Sequence, residues 1–403
     1  MDAIDKYNIN LLGVDEQQRR LEKVKEQMRA AGISHALVRN NVNIYYLTGR
    51  VFRGFIYVST DIEAPYYFVR EPNHLVSDHH APDSHIRKPE EIPALLAAKG
   101  LKNDSPIGLE LDTITYSEAR RLAACFGKEP SANISPCLRG ARAVKTAAEI
   151  EKLRCDGKKQ SLVYERIPHC FREGMTDVEF QIEIERASRL EGCLGQFRVA
   201  GSDMELFMGN VLTGHNADTP SPYDFAMGGE GLDASLPVGA CGEIIRENMP
   251  VMVDVNGNYN GYMTDMTRMY IQGEPSENAL QVLALSSDIC RTLAGMMRPG
   301  AKACDLYNKA AQMAADAGMA DFFMGHRSHA GFVGHGVGIE VNELPVIAPR
   351  SRDILAAGNV IALEPKFVVP GLGAIGIENT YVVAAEGEPE VLTKASEQFI
   401  RLD

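Results

Sequence analysis

The chain has 403 residues, enough for two domains with separate cores. Its 45% hydrophobic and 24% charged content is that of an ordinary globular protein. With 41 basic against 54 acidic side chains the net charge is −13, which argues against the basic footprint of a nucleic-acid binder. No run of 18 apolar residues is present, so no membrane span is expected. The eight cysteines include no C-x-x-C pair, which suggests neither a zinc ribbon nor a disulfide framework. The opening MDAIDKYNIN lacks a basic stretch and an apolar core, so no signal peptide is expected and the location reads as cytoplasmic.

The first part of the chain alternates helix-like and strand-like segments. Residues 16–32 carry helical spacing and end at Gly32, a suitable C-cap. HALVRN, IYYLTG, GFIYVS and APYYFVR read as strands, and YSEARRLAACFG as a helix. This is a small α/β domain over residues 1–142. Thr146 and Glu149 form a capping box that starts a helix and opens a second domain over 143–403. Thr176 and Glu179 form another box at the next helix.

The second domain reads as a duplication. Helices over 147–167 and 177–191 precede strand-like sequence ending in PVMVDVNGNYNGYMTDMTRMYI. Two further helices, SENALQVLALSSDICRTLAGMM and KACDLYNKAAQMAADAG, precede VIALEPKFVVPGLGAIGIENTYVVA. Two αα–ββ halves predict a pseudo-twofold fold with a site at the seam.

Each half carries a hairpin with two acids. Asp254 and Asp265 flank an Asn/Gly-rich turn. A centre between Tyr259 and Asn260 sets them opposite each other on one face. Glu364 and Glu378 flank Pro370-Gly371-Leu372-Gly373, and a centre on Gly371 opposes them. Opposed like charges destabilise a sheet, and doing so twice calls for a cation. Singly, Asp254 reads as a turn aspartate, Glu364 as a solvated strand end and His335 as a core histidine. Together, two mirrored acid pairs and an imidazole set among Gly334, Gly336 and Gly338 point to a metal centre. Oxygen ligands plus one imidazole suit divalent Mn, Co, Fe or Zn.

This constellation resembles that of the pita-bread metallopeptidases, which include aminopeptidase P, prolidase and methionine aminopeptidase. The matching phrases are VDVNGNYNGYMTDMTR, GHGVGIE, LEP and GIENT. NNVNIYYLTG and RAVKTAAEIEKLR resemble the creatinase-type first domain that prolidase and aminopeptidase P carry. The resemblance implies an α/β (α+β) chain, with a creatinase-like domain followed by a pseudo-twofold pita-bread catalytic domain. It implies that Asp254 chelates one ion, that Asp265 and Glu378 bridge two, and that His335 and Glu364 complete the second. Two divalent ions follow, Mn or Co ahead of Zn or Fe. A bridging hydroxide would attack a scissile carbonyl, with Glu364 as the proton shuttle and His335 beside it. The implied substrate is a peptide or small amide, with an Xaa-Pro peptide first, and the implied assembly is a homodimer.

Three positions depart from the pattern. A histidine usual before the first aspartate is Val238, a second usual histidine is Asn342, and the phrase RIED reads GIEN, with Gly376 and Asn379. Loss of a transition-state donor lowers rate by about 10²–10³, so the expectation is either a weak peptidase activity or a site rebuilt for another substrate. The long stretch 213–239 carries His215 and Tyr223, and with Asn342 and His329 these are the candidate substrate contacts. A creatinase-like hydrolase of a small C–N compound and a silent binding scaffold are the alternatives. Intact ligands count against both.

Overall fold

A computed structural model describes residues 8–75, 83–101, 105–127, 131–201, 204, 208–225 and 227–402. Most of the opening MDAIDKYNIN and Ala226 of the long stretch lie outside the described residues. The chain divides into two compact units, Met1–Arg142 and Ala143–Asp403. Among the described residues no helix is long and apolar enough to cross a membrane.

The first unit is built on a six-stranded mixed sheet. Its order is Asp83–His85, Tyr66–Glu71, Arg53–Ser59, His35–Val38, Gly108–Leu109, Ala132–Asn133. Leu37, Phe55, Phe68 and Leu109 from the sheet pack with Ile92, Leu96, Leu122 and Phe126 from the helices that cover it. One expected strand is a helix. IYYLTG belongs to Asn41–Thr48, because the Asn40 side chain accepts from the Val42 N–H and Gly49 closes the C-terminus in the left-handed region. A short apolar run does not itself distinguish strand from helix, and the caps decided it.

The second unit repeats one plan. Helices Ala147–Arg166 and Asp177–Leu190 both begin at the expected capping boxes, with each Thr hydroxyl and Glu carboxylate engaged. They cover a four-stranded sheet in the order Ile400–Arg401, Thr267–Ile271, Pro250–Val255, Gly209–Thr213. Helices Glu277–Met296 and Ala303–Asp316 accompany a five-stranded sheet in the order Glu343–Ile347, Gly334–Gly336, Val360–Leu363, Asn379–Val382, Glu390–Val391.

Strand alternation explains where the acids point. Val251, Val253 and Val255 pack under the first helix pair with Val163, Tyr164, Phe180 and Ile184. Met252 faces the other way, into the core of Met269, Ile361 and Leu363, and Asp254 follows it at the two-residue period. In the second half Ile361, Leu363 and Phe367 pack with Leu283, Ile289 and Leu293. Glu364 and Lys366 take the alternate face.

The two hairpins differ in how well their register could be anticipated. Leu363 pairs with Asn379 and Lys366 with Gly376, so Glu364 and Glu378 fall between them in the expected register. In the first half Asp254 pairs with Thr267, two residues beyond Asp265. The turn is centred one residue later than expected, because Gly261 supplies the positive φ and its N–H donates to Asn258 Oδ1. A shift of two preserves the face, so both aspartates still point to the same side.

Candidate metal centre

Thr267 joins the halves. It pairs with Asp254 in the sheet, and its backbone also bridges to Glu378. Its hydroxyl donates to Glu378 Oε2 at 2.8 Å. Asp265 is held through its backbone: its N–H donates to Thr380 Oγ1, and that hydroxyl donates back to the Asp265 carbonyl. The imidazole comes from strand Gly334–Gly336, where the glycines admit neighbouring backbone. A Cβ at Gly336 would meet the Leu344 carbonyl oxygen at 2.2 Å.

Asp265, His335, Glu364 and Glu378 are all buried, at 5%, 8%, 3% and 1% relative exposure. His335 Nε2 lies 3.2 Å from Glu364 Oε1 and 3.8 Å from Asp265 Oδ2. Asp265, His335 and Glu378 each offer a ligand atom within 4.8 Å of the others. Glu378 Oε1 is buried and has no hydrogen-bond partner. A bare buried carboxylate oxygen beside an imidazole and a second carboxylate fits a divalent cation, because leaving it uncompensated is costly.

Protonation behaviour carries the same message. Burial, and next the charge of Asp254, push the Asp265 carboxyl up to about 7. Burial, with Asp265 next, raises Glu378 well above the carboxylate range. Burial disfavours the His335 imidazolium, but the hydrogen bond and charge of Glu364 prevail and raise it to about 9. Asp265, Glu378 and His335 are thus all drawn toward their protonated forms, which is how crowded acids compensate.

Residues 151–385 match the family described as metallopeptidase family M24. The chain belongs to that family. It is a metallohydrolase, and a dinuclear mechanism is consistent with the M24 family. Residues 20–144 match the creatinase/prolidase N-terminal domain. The Xaa-Pro dipeptidase of Pyrococcus furiosus is 25% identical over 384 residues, covering 94% of this chain and 99% of the relative. A probable dipeptidase of Mycobacterium tuberculosis is 30% identical over 256 residues, covering 63% of this chain and 60% of the relative. A solved Xaa-Pro dipeptidase from Bacillus anthracis superposes with a TM-score of 0.80 at 22% identity, covering 96% of this chain and all of that one. At that identity the likeness speaks for the fold. The M24 fold is the pseudo-twofold α/β architecture that the duplication of elements anticipated.

A cavity of about 70 Å³ lies at these residues. Asp254, Asp265, His335, Glu364 and Glu378 line it together with Asn210, Met204, Phe332 and Val341. Asp224, Phe225 and Met227 line it too, so the long stretch 213–239 does reach the acids. Tyr223 and His329 line a neighbouring cavity with His326 and Asp218, not the one at the acids. His329 Nδ1 lies 2.9 Å from the Phe323 carbonyl oxygen. His215 is exposed and lines neither cavity. Asn342 is in the right cavity, but both ends of its amide are engaged. Its Oδ1 accepts from the Ala200 N–H at 2.7 Å, and its Nδ2 donates to the Ala200 carbonyl at 2.8 Å. Asn342 therefore anchors the segment that walls the cavity. Val238 is fully buried.

Sequence reasoning missed Lys366. Its Nζ donates to Asp254 Oδ2 at 2.8 Å, Glu364 Oε2 at 2.8 Å and Glu378 Oε2 at 3.3 Å. Burial disfavours the ammonium, but the charges of Asp254, Glu364 and Glu378 raise its pKa well above the ordinary value. That charge, ahead of the His335 hydrogen bond, also overcomes burial at Glu364 and lowers it to about 2. The signal was available: a lysine two residues after Glu364 in a buried apolar strand must share that glutamate's face.

Proposed function

We propose that this chain hydrolyses peptides with an N-terminal residue ahead of proline, using Asp265, His335, Glu364 and Glu378 as ligands for divalent metal. The observation that carries the reading is the convergence of those groups around the unpartnered Glu378 Oε1. The names of full-length relatives supply the substrate class. A divalent ion there would polarise a carbonyl oxygen and ease deprotonation of water. Mn or Co suits the oxygen-rich set with one imidazole. Glu364 presents one oxygen to His335 and faces the cavity, where it can take up and return a proton. Lys366, itself held by Asp254, fixes the far side of Glu364 and Glu378. We further propose a cytoplasmic homodimer.

The test is turnover of Xaa-Pro dipeptides and longer Xaa-Pro peptides after loading with Mn²⁺ or Co²⁺, with Asp265→Asn as control. Metal-dependent release of the N-terminal residue is expected, and it should disappear in the control. Equal turnover by the control, or none by the wild type, would sink the reading.

The side chains at two positions favour a second reading. No accessory histidine stands at 238 or 342, and the Asn342 amide is engaged at both ends by Ala200. That absence suits a small C–N compound other than a peptide. Adding such compounds to the same panel separates the two: cleavage of these alone selects the second.

A further inference from the structure

We propose that the Lys366 ammonium permanently takes the place of one metal ion, so that the centre binds a single divalent cation at Asp265, His335, Glu364 and Glu378. This rests on the metal-dependent reading above and changes the composition of its site.

The oxygens are already divided. Glu364 gives Oε2 to Lys366 and Oε1 to His335. Glu378 gives Oε2 to Lys366 and the Thr267 hydroxyl, leaving Oε1 without a partner. Asp254 Oδ2 is held by Lys366. One side of the cluster is thus filled by nitrogen, and the other presents the unpartnered Glu378 Oε1 with Asp265, His335 and Glu364 Oε1 beside it. An ammonium has three N–H donors, and Nζ finds three carboxylates. Its distances of 2.8, 2.8 and 3.3 Å are those of hydrogen bonds. A metal on the same oxygens would sit about 2.0–2.2 Å from them. The two cations would compete for the same lone pairs from almost the same point, so they exclude each other.

Lys366 is not a side chain that can step aside. It is fully buried, at 0% relative exposure. Its carbonyl accepts from the Met324 N–H at 2.8 Å, and its strand pairs it with Gly376. A Cβ at 376 would lie 2.8 Å from both Cα and Cγ of Lys366. Glycine there leaves the path along which the lysine stem runs to the acids, at one of the positions that depart from the prolidase-like pattern. Withdrawal of the ammonium would strand a buried charge in apolar core on one side and three carboxylates on the other. The lysine brings one positive charge but no vacant coordination position, so it can orient the acids without acting as a Lewis acid.

The test is metal stoichiometry of the full chain, loaded with Mn²⁺ and gel-filtered, read by elemental analysis and by electron paramagnetic resonance. The wild type should hold one ion per chain with the six-line signal of isolated Mn²⁺. Lys366→Gly should hold two and show the spectrum of a coupled pair. Asp254→Asn should keep its one ion, because Asp254 serves the lysine and not the metal. Two ions in the wild type, one ion only in a folded Lys366→Gly, or loss of the ion in Asp254→Asn would each overturn the lysine proposal and leave metal-dependent hydrolysis standing. No ion in any of the three would overturn the metal-dependent reading as well. A wild type with one ion but no Xaa-Pro turnover supports the lysine proposal and sinks the substrate assignment.

Discussion

Replacing Lys145 by methionine should destabilise the catalytic unit by several kcal/mol, on the order of 3–5. Lys145 Nζ lies 2.9 Å from Glu343 Oε2, and the two side chains are 1% and 2% exposed. At that distance an effective dielectric of about 20 gives an attraction of about 6 kcal/mol. The loss on truncation is smaller, because the pair's own desolvation is partly recovered; about 3–5 kcal/mol is the usual cost of breaking a buried pair. Glu343 cannot move out to water, since Oε1 also accepts the N–H groups of Ile339 and Glu340 at 3.0 and 3.2 Å. That places the cost in the upper part of the range. For a unit of this size about 2–4 °C of melting temperature is lost per kcal/mol, so Lys145→Met should melt roughly 8–20 °C lower. Calorimetry or circular dichroism of the metal-free protein reads this directly. Lys145→Met combined with Glu343→Gln should recover much of the loss, because the stranded charge is then gone. A single variant that loses less than about 1 kcal/mol, the value of a surface pair, would refute the claim that this pair is sealed from solvent.

Three further outcomes can be measured. Asn342→Ala removes both hydrogen bonds to Ala200, so amides near 200 should exchange faster with solvent while bound metal is unchanged; unchanged exchange would show that the segment is held elsewhere. His335→Ala removes the only imidazole of the ligand set, and Mn²⁺ affinity by calorimetric titration should fall by about 10- to 100-fold or more; an unaltered affinity would remove His335 from the centre. Burial raises the Asp156 carboxyl to about 7, against the hydrogen bonds that the Tyr259 and Asn260 groups donate to it. A carboxyl raised on folding contributes stability that is complete below its unfolded value near 4 and is lost as pH rises through 7. Asp156→Asn should therefore flatten the stability profile between pH 4 and 7, and a profile identical to wild type would contradict this.

The sequence carried the parts of this structure that depend on local chemistry. Both capping boxes start helices at Thr146 and Thr176 because hydroxyl and carboxylate at that spacing satisfy orphan N–H groups wherever they occur. The second hairpin keeps its register because a Pro-Gly turn leaves few alternatives. The first slips by two because Asn258, Asn260 and Gly261 all accept turn geometry, and long-range bonds decide among them: Asn260 Nδ2 donates to the Lys152 carbonyl and to Asp156. IYYLTG was misread for a related reason, since the cap that fixed it is Asn40, just outside the apolar run. The four acids and one imidazole that line the cavity were legible through their mirrored placement. The roles of His215, Tyr223 and His329 were not, because side chains on a long connection gain their neighbours from tertiary packing alone. Lys366 was legible in principle by strand parity, but a lysine counts as surface until burial is known.

Thr267 sets the dimensions of the centre. The same residue lies opposite Asp254 on one edge and exchanges backbone hydrogen bonds with Glu378 on the other. The spacing between the acids of the two halves is thus fixed by peptide geometry, with Asp254 and Glu378 about two strand separations apart across Thr267, and owes little to how the helices outside are packed. Substitutions can accumulate across the outer layers without retuning the distance between ligands. The same rigidity leaves the chain little freedom to widen its site by parting the halves, so a change of substrate must come from the walls of the cavity, and those walls are the long connection and the segment held by Asn342.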